Sequence, residues 1–175
     1  TRWLQSGIEQ LAAGAAFIHM PGHTPGNGVV WVEDEGWLFS GDQLLPEITP
    51  TPAIQAAHGE SADWRFRSLP EFLRSLEQVR RLGPHVRCFP GHGEPFDNVL
   101  EVVEANLAQA EQRTNRLRDI LVENPGQTLY RLAELVYPRA LRRRFWQITA
   151  TVQGHLDVLE EAGAATTDDG RWFAH

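Results

Sequence analysis

Two histidines in the sequence stand in loops of almost the same composition. His23 lies in the stretch PGHTPG and His92 in PGHGEP, so each follows a Pro-Gly pair. A carboxylate, Asp42, lies between them in the short stretch SGD. Imidazole nitrogens and carboxylate oxygens are ordinary ligands of Zn²⁺ and similar divalent ions. The three residues therefore form a candidate metal-binding set.

Each of the three candidates follows a predicted β-strand. The predicted strands are short apolar runs bounded by Gly, Pro or acidic turn residues, at 15–19 (AAFIH), 28–32 (GVVWV), 37–40 (WLFS) and 86–89 (VRCF). In layered α/β folds, functional sites gather in loops at strand ends. We therefore expect the sheet to bring His23, Asp42 and His92 to one edge.

Helical patterns fill most of the remaining chain. Ser68-Leu69-Pro70-Glu71 has the pattern of a capping box and opens a helix that stops before Gly83. Residues 43–63 contain three prolines and no period, which predicts a long loop. From about residue 98, three helices precede a hairpin signal at Asp169-Gly170. Three helices followed by a hairpin are typical of a winged-helix pattern.

Composition limits the classes of protein that fit. The chain has 175 residues, of which 42% are hydrophobic and 22% charged, as expected for a soluble globular protein. No apolar run approaches the roughly 18 residues that cross a bilayer, so we expect no membrane partner. The single cysteine, Cys88, excludes an internal disulfide and suits a reducing cytoplasm. A net charge of −7 argues against non-specific coating of nucleic acid.

The order PGHTPG, SGD, PGHGEP resembles the second half of a metallo-β-lactamase-fold hydrolase over about residues 10–100, and the hydroxyacylglutathione hydrolase-like branch in particular. The resemblance implies that His23 ligates one metal ion, His92 ligates another, and Asp42 bridges the two. It implies two divalent ions, with zinc as the first choice and iron or manganese as alternatives. The implied fold is α/β: the second half of an αββα sandwich in residues 1–100, then a small, mostly helical winged-helix-like domain in residues 101–175.

The sequence departs from the family pattern at one point. Family members carry a His-x-His-x-Asp-His motif that supplies four further ligands, and nothing in this sequence matches it. We expect the upstream half to be absent here and this piece alone to be inactive, so we name no catalytic side chain beyond the metal ligands. Half a sandwich also leaves one sheet face bare. We therefore expect the chain to need its missing half or a second copy of itself.

The remaining candidate residues have plainer interpretations beside functional ones. A packing or supporting role fits His19 better than ligation, and Cys88 is interpreted as a small core residue. His58 mimics the Pro-Gly-His loops but lacks a preceding strand. Residues 64–67 (WRFR) line either a substrate entrance or a packing contact. Three further histidines are interpreted as surface residues: His85, His155 and His175.

Three functions from different classes remain open. The family resemblance favours hydrolysis of an ester-type bond in a small substrate, a thioester or a related carboxylic derivative. A single-strand RNA endonuclease of the same fold is the first alternative, and it predicts strong salt dependence. A non-catalytic winged-helix binding module with a degenerate half-site is the second. The cluster Arg139, Arg142, Arg143 and Arg144 suits phosphate, but the acidic residues Asp157, Glu160 and Glu161 favour docking against the metal domain or another subunit instead.

Overall fold

The described part of the chain has an α/β fold, with a five-stranded mixed sheet and four helices. A computed structural model describes residues 7–11, 14–55 and 65–175. The sheet has the strand order β1-β2-β3-β4-β5. Its strands are β1 (Ile8–Gln10), β2 (Ala15–His19), β3 (Gly28–Val32), β4 (Trp37–Gly41) and β5 (Arg87–Pro90). The four predicted strands are confirmed to within one residue at each end, whereas β1 was not predicted.

Strand direction is what places the candidate ligands on one edge. Strands β1 to β4 pair antiparallel in sequence, and β5 then pairs parallel to β4. Consequently β2, β4 and β5 all run in the same direction, and their carboxyl ends lie at one edge of the sheet. The loops that follow these three strands carry the three candidate ligands.

The two faces of the sheet have different partners. One face carries buried apolar residues such as Val29, Leu38 and Cys88, and packs against α1 (Ser68–Arg80) and the start of α2 (Val99–Glu123). On the other face Trp37 is 39% exposed and Phe39 is 42% exposed. Both rings contact Phe89, at centroid distances of 5.7 and 4.9 Å. This set of rings, Trp37, Phe39 and Phe89, is called the aromatic face below.

Cys88 is confirmed as a core residue. Its side chain is fully buried in β5, and its Sγ atom lies 3.3 Å from the Ser40 hydroxyl. Burial raises the pKa of the thiol to about 11 because the apolar surroundings disfavour the thiolate. An un-ionised, inaccessible thiol is a poor nucleophile and a poor ligand.

The capping-box prediction at Ser68 is wrong. Ser68 is the first residue inside α1, and the N-cap position belongs to Arg67, which makes no side-chain cap hydrogen bond. The Ser68 hydroxyl instead donates to the Gly22 carbonyl oxygen and accepts from the Ala53 backbone N–H. Tertiary partners have therefore replaced the local cap.

The C-terminal part has its own sheet and core. After α2 come β6 (Gln127–Thr128), α3 (Leu129–Val136), α4 (Phe145–Glu161), β7 (Ala165–Asp168) and β8 (Arg171–Ala174), and the three strands pair in the order β6-β8-β7. The predicted helices and hairpin are present, whereas the short strand β6 was not predicted. Thr128 is the N-cap of α3, and its side chain accepts a hydrogen bond from the Arg131 N–H.

Helix α2 contributes to both cores. Val99 and Val103 belong to the core beneath the sheet, whereas Leu117 and Leu121 belong to the core of the C-terminal helices. The expected domain boundary after residue 100 therefore falls inside a continuous helix of 25 residues.

Ion pairs link the C-terminal end of α4 to α1 and to the residues just before it. Arg65 makes a bidentate contact with Asp157 at 2.5 and 2.6 Å, and the Asp157 side chain is only 1% exposed. Two further contacts of the same kind are Arg67 with Glu160 and Arg74 with Glu161. Arg65 and Arg67 thus have packing roles, while Trp64 and His58 lie outside the described residues.

His155 is not the surface residue that the sequence predicted. It is 5% exposed in the middle of α4, and its Nδ1 lies 2.8 Å from the Thr114 hydroxyl of α2. Burial, with a smaller contribution from the nearby Arg113 cation, lowers its pKa from 6.5 to about 4. His85 and His175 are exposed, as predicted.

We expect this buried imidazole to make the protein acid-sensitive. In the unfolded chain His155 takes up a proton near pH 6.5, whereas in the folded chain it stays neutral down to about pH 4. Its contribution to stability is therefore complete above pH 6.5 and falls by about 3 kcal/mol as the pH drops to 4. Urea unfolding from pH 7 to pH 4 should show this loss in the natural chain and a smaller loss in His155→Gln. Equal losses in the two proteins would contradict the assignment.

No helix in the described part of the chain is both long and apolar enough to span a bilayer.

Candidate metal centre

The structure brings His23, Asp42 and His92 together. The Asp42 carboxylate lies between the two imidazoles, with Oδ2 3.9 Å from His23 Nε2 and Oδ1 3.6 Å from His92 Nε2. The Asp42 and His23 side chains are each 35% exposed, and His92 is 75% exposed. One carboxylate therefore presents a separate oxygen to each histidine, beside solvent.

The glycine of each Pro-Gly-His loop is required by close packing. A Cβ atom on Gly91 would lie 2.8 Å from Asp42 Oδ1 and 3.0 Å from the Gly41 carbonyl carbon. A Cβ atom on Gly22 would lie 2.6 Å from the backbone of Phe72 in α1. Since real Cβ atoms do not approach other atoms so closely, only glycine lets the two loops reach the site.

The tautomer of His23 follows from the hydrogen bond of its Nδ1 atom. His23 Nδ1 lies 3.1 Å from the Thr51 carbonyl oxygen, which can only accept. In the neutral ring Nδ1 must therefore carry the proton, and Nε2 presents a lone pair toward Asp42. A lone pair that faces a carboxylate oxygen is stabilised by a cation between the two atoms.

The distances are compatible with a divalent ion at each histidine. Two bonds of about 2.0–2.2 Å can span roughly 4.2 Å between donors that share an ion, and both histidine–Asp42 separations lie within that limit. Each ion would then have one imidazole and one carboxylate oxygen as donors. Within the described ranges, no three His, Cys, Asp or Glu side chains converge on one point. Because zinc sites use three or four protein ligands, a complete site needs further donors.

His19 supports the first loop. Its Nε2 lies 2.8 Å from the Pro25 carbonyl oxygen, so it donates across the PGHTPG loop. Asn27 closes the same loop, since its Nδ2 donates to the Met20 carbonyl and to Gln43 Oε1. Gln43 is fully buried beside Asp42, and its own Nε2 has no hydrogen-bond partner among the residues that the structure describes.

Sequence reasoning missed three residues that hold this site: Asn27, Thr51 and Ser68. Asn27 stands just before a predicted strand, where Asn reads as an ordinary turn residue. Thr51 acts through its backbone carbonyl, so its residue type carries no signal. Ser68 had a signal, Ser-x-x-Glu, but it was interpreted as a local cap.

An open groove adjoins the site. It lies between residues 45–49, which leave the site after Asp42, and the N-terminal half of α2, and its volume is about 360 Å³. Its lining combines apolar residues such as Leu45 and Val102 with the carboxylates Glu47 and Glu101. Pro46, also in the lining, lies against the Gly93 backbone next to His92. The groove is thus next to the His92 loop, although none of the three candidate ligands lines it, and it offers space for a small molecule.

A family comparison agrees with the motif order. The model of the metallo-beta-lactamase superfamily matches residues 1–92, which include all three candidate ligands.

Individual relatives extend the likeness into the C-terminal part. A probable metallo-hydrolase of Bacillus subtilis, YqjP, is 32% identical over 92% of this chain and 49% of its own length. A Drosophila melanogaster homologue of beta-lactamase-like protein 2 is 30% identical over 86% of this chain and 47% of its own length. The crystal structure of TTHA1429, a metallo-beta-lactamase family protein of Thermus thermophilus, superposes with a TM-score of 0.75 at 27% identity, covering 98% of this chain and 54% of that one. The chain spans about half the length of these relatives.

Proposed function

Because the chain belongs to the metallo-beta-lactamase superfamily, we propose that it forms part of a metal-dependent hydrolase that cleaves an ester-type bond, with a thioester or a related small carboxylic derivative as substrate. The observation that carries this proposal is the Asp42 carboxylate, which presents a separate oxygen to each of two histidines. An arrangement of this kind is suited to two divalent ions that share one bridging ligand. The relatives named metallo-hydrolase and beta-lactamase-like protein support the general reaction class.

Residues of this chain would bind and orient the reacting groups. Bound divalent ions, zinc first and iron or manganese as alternatives, supply a water of lowered pKa and polarise the scissile carbonyl. Asp42, His23 and His92 would hold these ions, and the Thr51 carbonyl orients His23. The groove beside Pro46 takes the substrate. The remaining donors and the proton-transferring group come from outside the described residues.

The aromatic face supports a proposal about partners. Its rings are large and partly exposed on a sheet whose opposite face is fully packed. Exposed apolar patches of this kind mark association surfaces. We propose that the half-sandwich supplying the missing ligands, or a second copy of this chain, covers it.

The division of the chain is likewise proposed from the two cores. Residues 1–100 form the metal domain, and residues 101–175 form a winged-helix-like module whose elements run helix, strand, helix, helix, hairpin. A cytoplasmic location fits the free thiol of Cys88.

One surface favours a second candidate function, a single-strand RNA endonuclease. Residues 142–147 (RRRFWQ), at the start of α4, are all exposed, and Trp146 is 77% exposed. The acidic residues at the other end of α4 are paired with Arg65, Arg67 and Arg74. These carboxylates therefore face their own arginine partners and not the cluster of residues 139–144. Exposed aromatic rings beside arginines suit stacked bases and phosphates.

Metal removal and salt dependence separate the two candidates. In the protein together with the half that supplies the missing ligands, we expect dialysis against a chelator to lower hydrolysis of a small thioester by at least about 10²-fold, and added Zn²⁺ to restore it. If the substrate is small, raising the salt from 50 to 200 mM should change the rate little. An RNA substrate would instead lose orders of magnitude in binding, and Trp146→Ala would weaken it by about 1–3 kcal/mol per stacked base. Thioester hydrolysis that survives chelation would contradict the leading proposal.

A further inference from the structure

A single buried hydroxyl joins the two segments that meet at His23. Ser68 is 2% exposed at the start of α1. Its Oγ donates to the Gly22 carbonyl oxygen at 2.5 Å and accepts from the Ala53 N–H at 2.9 Å. Gly22 directly precedes His23, and Ala53 lies two residues after Thr51. The hydroxyl therefore fixes the backbone on both sides of the bond between His23 Nδ1 and the Thr51 carbonyl.

The geometry closes a ring of contacts around the histidine. The path runs from Ser68 to Gly22, along the chain to His23, across 3.1 Å to Thr51, and back through Ala53. Pro52 lies between Thr51 and Ala53, and its fixed φ limits how far the Thr51 carbonyl can move when Ala53 is held. Among the hydrogen bonds of the described residues, those of Ser68 are the ones on α1 that join the segment of Gly22 to the segment of Ala53.

We propose that Ser68 is a positioning residue for His23, acting through the Thr51 carbonyl. It keeps the Nδ1–H tautomer and so leaves the Nε2 lone pair turned toward Asp42. Outer partners of metal-ligating histidines set the tautomer and the ring orientation in this way. The inference rests on the proposed function insofar as His23 is a metal ligand.

The same helix offers a matched control. Ser75 is 1% exposed, and its Oγ donates to the Pro21 carbonyl oxygen at 2.7 Å. It thus lies on α1, is equally buried and holds the same loop, but it makes no bond to the segment of Thr51. Loss of either hydroxyl removes a buried hydrogen bond, whereas only Ser68 links the two sides of the His23 contact.

The test compares Ser68→Ala with Ser75→Ala in two measurements. In the metal-free protein at about pH 8, nitrogen–proton NMR of the imidazoles reports the tautomer. We expect pure Nδ1–H for His23 in the natural chain and in Ser75→Ala, and a mixture of tautomers in Ser68→Ala. In a titration with Zn²⁺ alone, we expect Ser68→Ala to bind about 10–100-fold more weakly and Ser75→Ala to stay within about twofold of the natural protein.

The outcomes distinguish the inference from the proposed function. A single Nδ1–H tautomer and natural Zn²⁺ affinity in folded Ser68→Ala would overturn the inference. If Ser68→Ala does not fold, Ser68→Thr keeps the hydroxyl and should keep the tautomer, and a folded Ser68→Thr with mixed tautomers would also overturn it. Zn²⁺ binding that is unchanged in His23→Ala would overturn the proposed function, while the tautomer result would still decide the role of Ser68 on its own.

Discussion

In the protein together with the half that supplies the missing ligands, we expect the Asp42→Asn variant to lose bound metal and hydrolytic activity together. The substitution keeps the shape of the side chain but removes the negative charge that both histidines face. Because one carboxylate serves both ions, a single change should lower metal content from about two per chain to near zero. The loss of activity should exceed the roughly 10–100-fold that an outer partner contributes. Elemental analysis after dialysis and thioester hydrolysis measure the two effects.

Asp97→Asn is the matched control for this prediction. Asp97 follows the His92 loop closely in sequence, but its side chain is 70% exposed and faces Arg87 at 3.5 Å. The same charge is removed, so a general electrostatic effect would appear in both variants. We expect Asp97→Asn to retain metal and activity within about twofold, since exposed pairs contribute little. Full metal content in Asp42→Asn would exclude Asp42 as the bridging ligand.

The largest loss of stability is expected for Asp157→Asn. Its carboxylate is nearly inaccessible, makes two short contacts with Arg65 and also accepts from the Gln153 side chain. The substitution removes the buried negative charge that both terminal nitrogens of Arg65, itself 13% exposed, contact. Breaking a buried pair from one side costs about 3–5 kcal/mol, which is a large share of the roughly 5–15 kcal/mol that stabilises a domain.

Urea unfolding checks this value against an exposed pair. Glu134 pairs with Arg131 three residues earlier on the surface of α3, and Glu134→Gln should change the free energy of unfolding by about 0.5 kcal/mol or less. Similar values for Asp157→Asn and Glu134→Gln would show that the contact between α4 and Arg65 adds little to stability.

The candidate ligands could be predicted because their signals are local. His23, Asp42 and His92 each follow a short apolar run that ends at Gly or Pro, and runs of that kind fix strand ends to within a residue. Strand direction then brought the three loops to one edge. The prediction of three ligands at neighbouring strand ends needed no knowledge of how distant segments pack.

The residues that support the site could not be predicted because their partners are distant in sequence. Ser68 has a local cap pattern, yet its hydroxyl bonds Gly22, 46 residues away. His155 was interpreted as a surface residue because the pattern of α4 does not show that α2 covers that position with Thr114. For Trp146 the sequence made no prediction; a tryptophan beside an apolar helix is normally buried, yet this one is exposed.

Because α2 belongs to both cores, it limits where the C-terminal module can be exchanged for another, in evolution or by engineering. A swap of the C-terminal module at residue 100 would cut a continuous helix and remove Val103 from the core beneath the sheet. A workable exchange must therefore replace the helix from its first turn. Its first turns also carry Glu101 and Val102, which line the groove beside the metal centre. Any recombination that imports a new C-terminal module therefore also imports one wall of the groove that we propose takes the substrate. The module and the shape of that groove should then be inherited together.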